Sequence, residues 1–230
     1  MPESSLSGPA GSRPWLTHYP PGIPPDIDIP DKRLPDLVGD VVKRNPGRTA
    51  LVYYGARWTY RRFWESAGGF ANALAREGIR PGDRLALYLP NCPAYPIAYF
   101  GALRAGVTVV QVSPLYIGQD LVRLLKDASP KGIVTLEILY PNLQKVGEEV
   151  DPGVRWVARL RELYPWWKRP FVNSVLRRRG LPTAVPTGPS IRNWTASLRT
   201  TGTLPELSTD PRTEVAVLQY TGGTTGRPKA

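Results

Sequence analysis

Four short apolar runs, RLALYL (84–89), VTVVQV (107–112), GIVTL (132–136) and VRWV (154–157), alternate with stretches of helical period. This alternation constrains the fold most. Apolar strands that do not alternate with polar residues are buried on both faces, and amphipathic helices between them supply the cover. The predicted class is therefore α/β, with a mostly parallel sheet covered by helices on both faces. Helices are expected over 94–106, stopping at Gly106, and over 118–128, with Leu121, Leu124, Leu125 and Ala128 on one side. Another is expected to end near Glu149.

Upstream, LPDLVGDVVKR (34–44) places Leu34, Leu37, Val38, Val41 and Val42 on one helical face. TALVYYGARWTY (49–60) reads as two short strands joined at Gly55-Ala56. Thr59 is a suitable N-cap for a helix with an apolar stripe of Phe63, Trp64, Ala67, Phe70, Ala71, Leu74 and Ala75. Gly78 ends that helix, and Pro81-Gly82-Asp83 turns the chain into the first buried strand. Residues 1–30, rich in Pro, Gly and Ser, read as an extended arm, and 31–157 as an α/β subdomain. Residues 158–212 interrupt the alternation and are expected to form one or two short helices followed by a surface loop. A strand at EVAVLQY and a glycine-rich loop complete 213–230.

The charge of +11 is local, because residues 155–180 carry +7 of it. Arg155, Arg159, Arg161, Lys168, Arg169, Arg177, Arg178 and Arg179 face Glu162 alone there, interleaved with Trp166 and Trp167. Such a mixture suits contact with an anionic membrane surface, although Pro165 and Pro170 prevent one long helix. Single-stranded nucleic acid would also meet Arg and Trp, but no nucleic-acid fold signature is present. No signal peptide opens the chain, and no apolar run is long enough to span a bilayer, so a cytoplasmic protein with peripheral contact at the inner membrane face is expected.

One Cys and one His exclude a disulfide framework and a Cys/His metal site. Cys92, in PNCPAY, reads as a small buried hydrophobe, and His18 as a solvent-exposed side chain of the arm.

The chemistry concentrates in YTGGTTGRPKA (220–230). Gly222, Gly223 and Gly226 let a ligand approach the backbone, whose successive N–H groups can form an anion-binding nest. Thr221, Thr224 and Thr225 add hydroxyl donors, and Lys229 adds a mobile cation, a set suited to polyphosphate. A Walker loop needs four residues between its glycines and a Lys-Ser/Thr pair directly afterwards. Here Gly223 and Gly226 are three apart and Pro228 intervenes.

This string resembles the phosphate-binding signature of the AMP-forming acyl-CoA synthetase (adenylate-forming ligase) superfamily, with Gly222 where Ser is usual and Ala230 where Gly is usual. RWTYRRFWESAGGFANALAREGIRPGDRLALYLPN (57–91) and GALRAGVTVVQVSPLY (101–116) are similar to further segments of that family. Gln111 with Pro114-Leu115-Tyr116, the string RPWLTHYPPGIPPDI (13–27) and the string YPWWKRPFVNSVLRRRG (164–180) resemble its long-chain fatty-acid–CoA ligase branch. The resemblance implies the N-terminal part of the adenylate-forming ligase large domain, incomplete at residue 230. It implies ATP, Mg²⁺, a long-chain fatty acid and coenzyme A as ligands of the full-length enzyme. Thr221, Gly222, Gly223, Thr224, Thr225, Gly226 and Lys229 would hold the ATP phosphates, and Thr221 or Thr224 would lie near the metal. Tyr220 would position the loop. Because family motifs beyond the loop, including the catalytic lysine, have no counterpart here, the 230 residues alone are expected to show little or no activity, and no catalytic residue is identified.

Overall fold

The computed structural model describes residues 13–204, 207 and 210–220. It divides into two compact units, residues 1–31 and 32–230. In the first, a 3-10 turn spans Pro14–His18, Arg13 pairs with Asp26 at 2.6 Å, and His18 is exposed.

In the second unit the opening helix α1, Leu34–Arg44, leads to a hairpin of β1, Thr49–Tyr53, and β2, Ala56–Thr59. The turn residues are Tyr54 and Gly55, both with positive φ (48° and 96°), one position earlier than the sequence suggests. Two successive left-handed residues give the turn a twist that matches the flanking strands. Leu34 is exposed rather than on the packed face of α1.

Thr59 caps α2, Tyr60–Arg76, by accepting from the Arg62 amide at 3.2 Å. Its far end closes as a Schellman motif: Ile79 N donates to Leu74 O at 3.0 Å and Gly78 N to Ala75 O at 3.1 Å, with Gly78 at φ 77°. Phe63, Ala67, Phe70, Ala71 and Leu74 are buried as the period predicts, whereas Ala75 is exposed and Gly69 and Ala73 take the extra buried positions.

A six-stranded sheet follows, with β3 Arg84–Tyr88, β4 Thr108–Val112, β5 Gly132–Leu136, β6 Val154–Ala158, β7 Ile191–Asn193 and β8 Val217–Gln219. The order is β7-β6-β5-β3-β4-β8 and every pairing is parallel. Helix α3, Ala94–Arg104, joins β3 to β4, and α4, Gly118–Ala128, joins β4 to β5. Since β4 and β5 flank β3 on opposite sides, right-handed crossovers put α3 and α4 on opposite faces. The core divides accordingly. Leu85, Leu87 and Val109 pack with Phe70, Leu74 and Ile97 on one face. Ala86, Tyr88, Val110 and Ile133 pack with Leu121 and Leu125 of α4 and Leu143 of α5, Tyr140–Val146, on the other. Helix α5 ends three residues before Glu149, in a turn closed by Glu149 N to Val146 O at 3.0 Å.

Residues 158–212 contain the expected short helices but depart from the expected surface loop. Two 3-10 turns, Leu160–Leu163 and Trp166–Lys168, lead into α6, Arg169–Arg178. The chain then returns to the sheet as β7, parallel to β6, and a single helical turn α7, Trp194–Ser197, buries Trp194 against Phe70. Arg192 fixes this return by a bidentate bond to Glu77 at the end of α2, with Nη2 2.8 Å from Oε2.

Candidate functional site

The site-bearing end of the molecule is built around β8. Its register with β4 is Val109↔Val217, Val110↔Leu218 and Gln111↔Gln219, so the chain leaves β8 at the carboxyl edge of the sheet. Ligands of open α/β sheets bind at this edge, in the crevice where neighbouring strands send their connections to opposite faces. Here β3 sends its connection to one face while both of its neighbours, β4 and β5, send theirs to the other, so such crevices flank β3, and β8 is next to β4.

Three contacts fix the approach to β8. Arg33 grips Glu214 through Nε at 2.7 Å and Nη2 at 2.8 Å, and its Nη2 also donates to Leu103 O at 2.9 Å. Thr108 Oγ1 donates to Val215 O at 2.9 Å. Val109 N donates to Ala216 O at 3.0 Å. After β8, Tyr220 packs beside the α4 core and its phenol donates to the Asp127 carboxylate on α4. Burial first, and then this bond, pushes the Tyr220 phenol well above its ordinary value, so it is a fixed donor rather than a base or nucleophile.

Across the crevice, Tyr88 Oη donates to Tyr116 O at 2.9 Å and accepts from Asn142 Nδ2 at 3.1 Å. This ties the turn after β4 to β3 and α5. Further along the edge, Glu137 is fully buried after β5 and both its oxygens accept from Leu160 N, at 2.9 and 2.8 Å. Burial outweighs that favourable bond and lifts its carboxyl to about 7.

The expected phosphate ligands Thr221, Gly222, Gly223, Thr224, Thr225, Gly226 and Lys229, and the metal-proximal Thr221 or Thr224, lie outside the described residues. Among the described residues no cluster of three or more His, Cys, Asp or Glu could hold a metal. Cys92 is buried and its thiol is pushed up to about 11 by that burial, which removes it as a nucleophile. No helix among the described residues is long and apolar enough to cross a membrane.

The basic segment is smaller as a surface than its sequence suggests. Arg155 is held by Asp151 at 2.7 Å with its side chain 18% exposed, and Arg159 pairs with Glu162 at 3.4 Å. These two arginines therefore serve the fold. Lys168, Arg169, Arg177, Arg178 and Arg179 remain exposed, as do Trp166 and Trp167. Sequence reasoning missed Arg33, Glu214, Asp127 and Glu137, none of which belongs to a local motif.

Comparison with known proteins gives the site its context. The family model described as AMP-binding enzyme matches residues 39–230. The long-chain-fatty-acid–CoA ligase of Bacillus subtilis is 33% identical over 221 residues, covering 94% of this chain and 39% of the relative. That of Escherichia coli O157:H7 is 34% identical over 225 residues, with the same coverage of 94% and 39%. The crystal structure of a long-chain-fatty-acid–CoA ligase from Archaeoglobus fulgidus superposes with a TM-score of 0.66 at 19% identity, over 89% of this chain and 37% of that one. The chain thus spans about two-fifths of the length of the curated relatives it matches. With a parallel sheet of this order, a fixed exit from β8 and a match running through residue 230, the chain belongs to the AMP-binding enzyme family.

Proposed function

We propose that the chain carries the ATP-phosphate-binding part of a long-chain fatty-acid–CoA ligase. In this reaction a fatty-acid carboxylate oxygen attacks the α-phosphorus of ATP and pyrophosphate leaves, giving an acyl-adenylate. The sulfur of coenzyme A then attacks the acyl carbon and AMP leaves. The observation that carries the reading is the sequence YTGGTTGRPKA directly after β8, an edge strand whose approach is held by Arg33 and Thr108 and whose exit is held by Asp127.

The donor chemistry of 221–229 fits triphosphate. Backbone N–H groups of Gly222, Gly223 and Gly226, the hydroxyls of Thr221, Thr224 and Thr225, and the Lys229 ammonium all present positive dipoles or charge. Magnesium would neutralise phosphate charge when bound. A threonine hydroxyl, Thr221 or Thr224, offers it one neutral oxygen ligand, and the phosphates themselves complete the charge balance. Tyr220 and Asp127 orient the strand end, and Lys229 steadies the leaving pyrophosphate. In domain terms, 213–230 act as strand and phosphate loop, 31–157 as their scaffold and 1–30 as an arm.

Acyl transfer by the whole reaction needs sequence equivalent to the three-fifths of the relatives that this chain does not span. The test is ATP- and palmitate-dependent hydroxamate formation, run on the 230 residues and on the same residues joined to that missing portion. Product from the joined protein alone supports the reading. Product from the 230 residues alone, or from neither when both bind ATP, contradicts it.

A further inference from the structure

From residue 163 to 205 the chain contains no acidic residue, while Lys168, Arg169, Arg177, Arg178, Arg179, Arg192 and Arg199 fall within it. Three large apolar side chains of the same segment are turned outward. Trp166 is 75% exposed, Trp167 59% and Phe171 71%. The two indoles lie edge-on at 5.8 Å. Behind them, a groove of about 560 Å³ runs between α6 and the carboxyl ends of β5 and β6, lined by Ile138, Leu160, Val172, Val175, Leu176 and Leu181.

The segment is anchored from below, so its outward groups are presented rather than loose. Lys168 Nζ donates to Tyr54 O of the hairpin turn at 2.9 Å, and Arg169 Nε to Tyr164 O at 3.3 Å. The Tyr164 ring stacks on Tyr54 at 4.9 Å. Arg177, Arg178 and Arg179, in contrast, have no carboxylate partner among the described residues, and they cluster at the carboxyl end of α6.

We infer that residues 164–181 form a docking surface for an anionic lipid bilayer. Trp166, Trp167 and Phe171 enter the headgroup–acyl boundary, while Arg177, Arg178 and Arg179 pair with lipid phosphates. Charge complementarity selects this occupant. An apolar aromatic face bordered by unpaired guanidinium groups, with no carboxylate to repel phosphate, matches an interface that is apolar inside and anionic outside. An acid-rich soluble partner would satisfy the arginines but leave the aromatic face and the groove in water. The inference extends beyond the ligase reading and does not depend on it.

The test is sedimentation of the whole chain with vesicles of phosphatidylcholine, alone or with about one-third phosphatidylglycerol, together with quenching of tryptophan by brominated acyl chains. Each cation near such a surface strengthens binding about fivefold, so R177Q/R178Q/R179Q should weaken binding to the anionic vesicles about a hundredfold. W166S/W167S/F171S should keep the preference for anionic vesicles and lose the quenching. Urea midpoints and ATP binding should be unchanged in both, which separates this surface from the nucleotide site. Equal binding to the two vesicle types, no quenching in the wild type, or wild-type binding by either variant would overturn the inference. So would equally tight binding of soluble polyglutamate, which would point to an acidic protein partner.

Discussion

Tyr220 donates its phenol hydrogen to Asp127, 93 positions earlier in the chain, and so fastens the end of β8 to α4. The bond links the residue that enters the glycine–threonine stretch to a helix packed on the same face of the sheet as Tyr220 itself. The end of β8 is thereby fixed to the helix layer as well as to β4.

Tyr220→Phe and Asp127→Asn should each weaken ATP binding several-fold while leaving the fold intact. A hydrogen bond to a charged acceptor contributes about 1.5–3 kcal/mol when shielded, and less at an exposed acid such as Asp127. The double variant should cost no more than the worse single one, because the two act as a unit. Calorimetric titration with ATP checks this.

Burial of Glu137 creates a pH dependence of known sign. With its carboxyl raised to about 7, the folded chain holds a proton that the unfolded chain has released. Stability should therefore fall as pH rises from the ordinary glutamate range to about 7 and stay lower above it, by up to ~3 kcal/mol. Glu137→Gln keeps an acceptor for Leu160 N and removes the titration, so its urea midpoint should vary less between pH 5 and pH 8 and exceed that of the wild type at pH 8.

Close approach of backbone to helix α2 makes Gly69 a sensitive position. A Cβ there would lie 1.9 Å from the Leu198 carbonyl oxygen, a backbone atom that cannot swing away. Gly69→Ala should destabilise by about 3 kcal/mol or more, above the usual range for overpacking. By contrast, Gly39→Ala meets only the Trp64 ring at 3.4 Å, an ordinary contact, and should be nearly neutral or stabilising. Urea midpoints of the two variants decide it.

Trp156, fully buried on β6, packs edge-on against Phe70 at 5.3 Å, yet its Nε1 has no hydrogen-bond partner among the described residues. Trp156→Ala should cost about 3–5 kcal/mol through the cavity it leaves. Trp156→Phe should cost clearly less, since it retains the ring and removes an unsatisfied donor. Chemical denaturation of both variants gives the comparison.

Most of the scaffold was legible because it obeys short-range rules. The limits of α4 and β5 match the sequence reading residue for residue, since apolar period, flanking glycine and strand composition agree there. Strand β7 was hidden by its length: three residues, Ile191–Asn193, in a Pro/Thr/Gly tract carry no period. Its place depends on Arg192 reaching Glu77, a pairing between positions 115 apart. Likewise the glycine–threonine stretch is readable as a string, whereas the approach to β8 is held by Arg33 and Glu214, residues 181 apart. Charge was over-read in one respect, although the signal was local: Asp151 stands four residues before Arg155 and Glu162 three after Arg159, and each pairs its arginine.

The most direct test of the central claim is equilibrium binding of ATP with magnesium to this chain and to its Thr224→Val and Lys229→Ala variants, with pyrophosphate as competitor. Pyrophosphate should displace ATP from the wild type, and each substitution should weaken binding about tenfold with the urea midpoint unchanged. Binding that ignores pyrophosphate, or that survives both substitutions undiminished, would contradict a phosphate-holding role for residues 221–229.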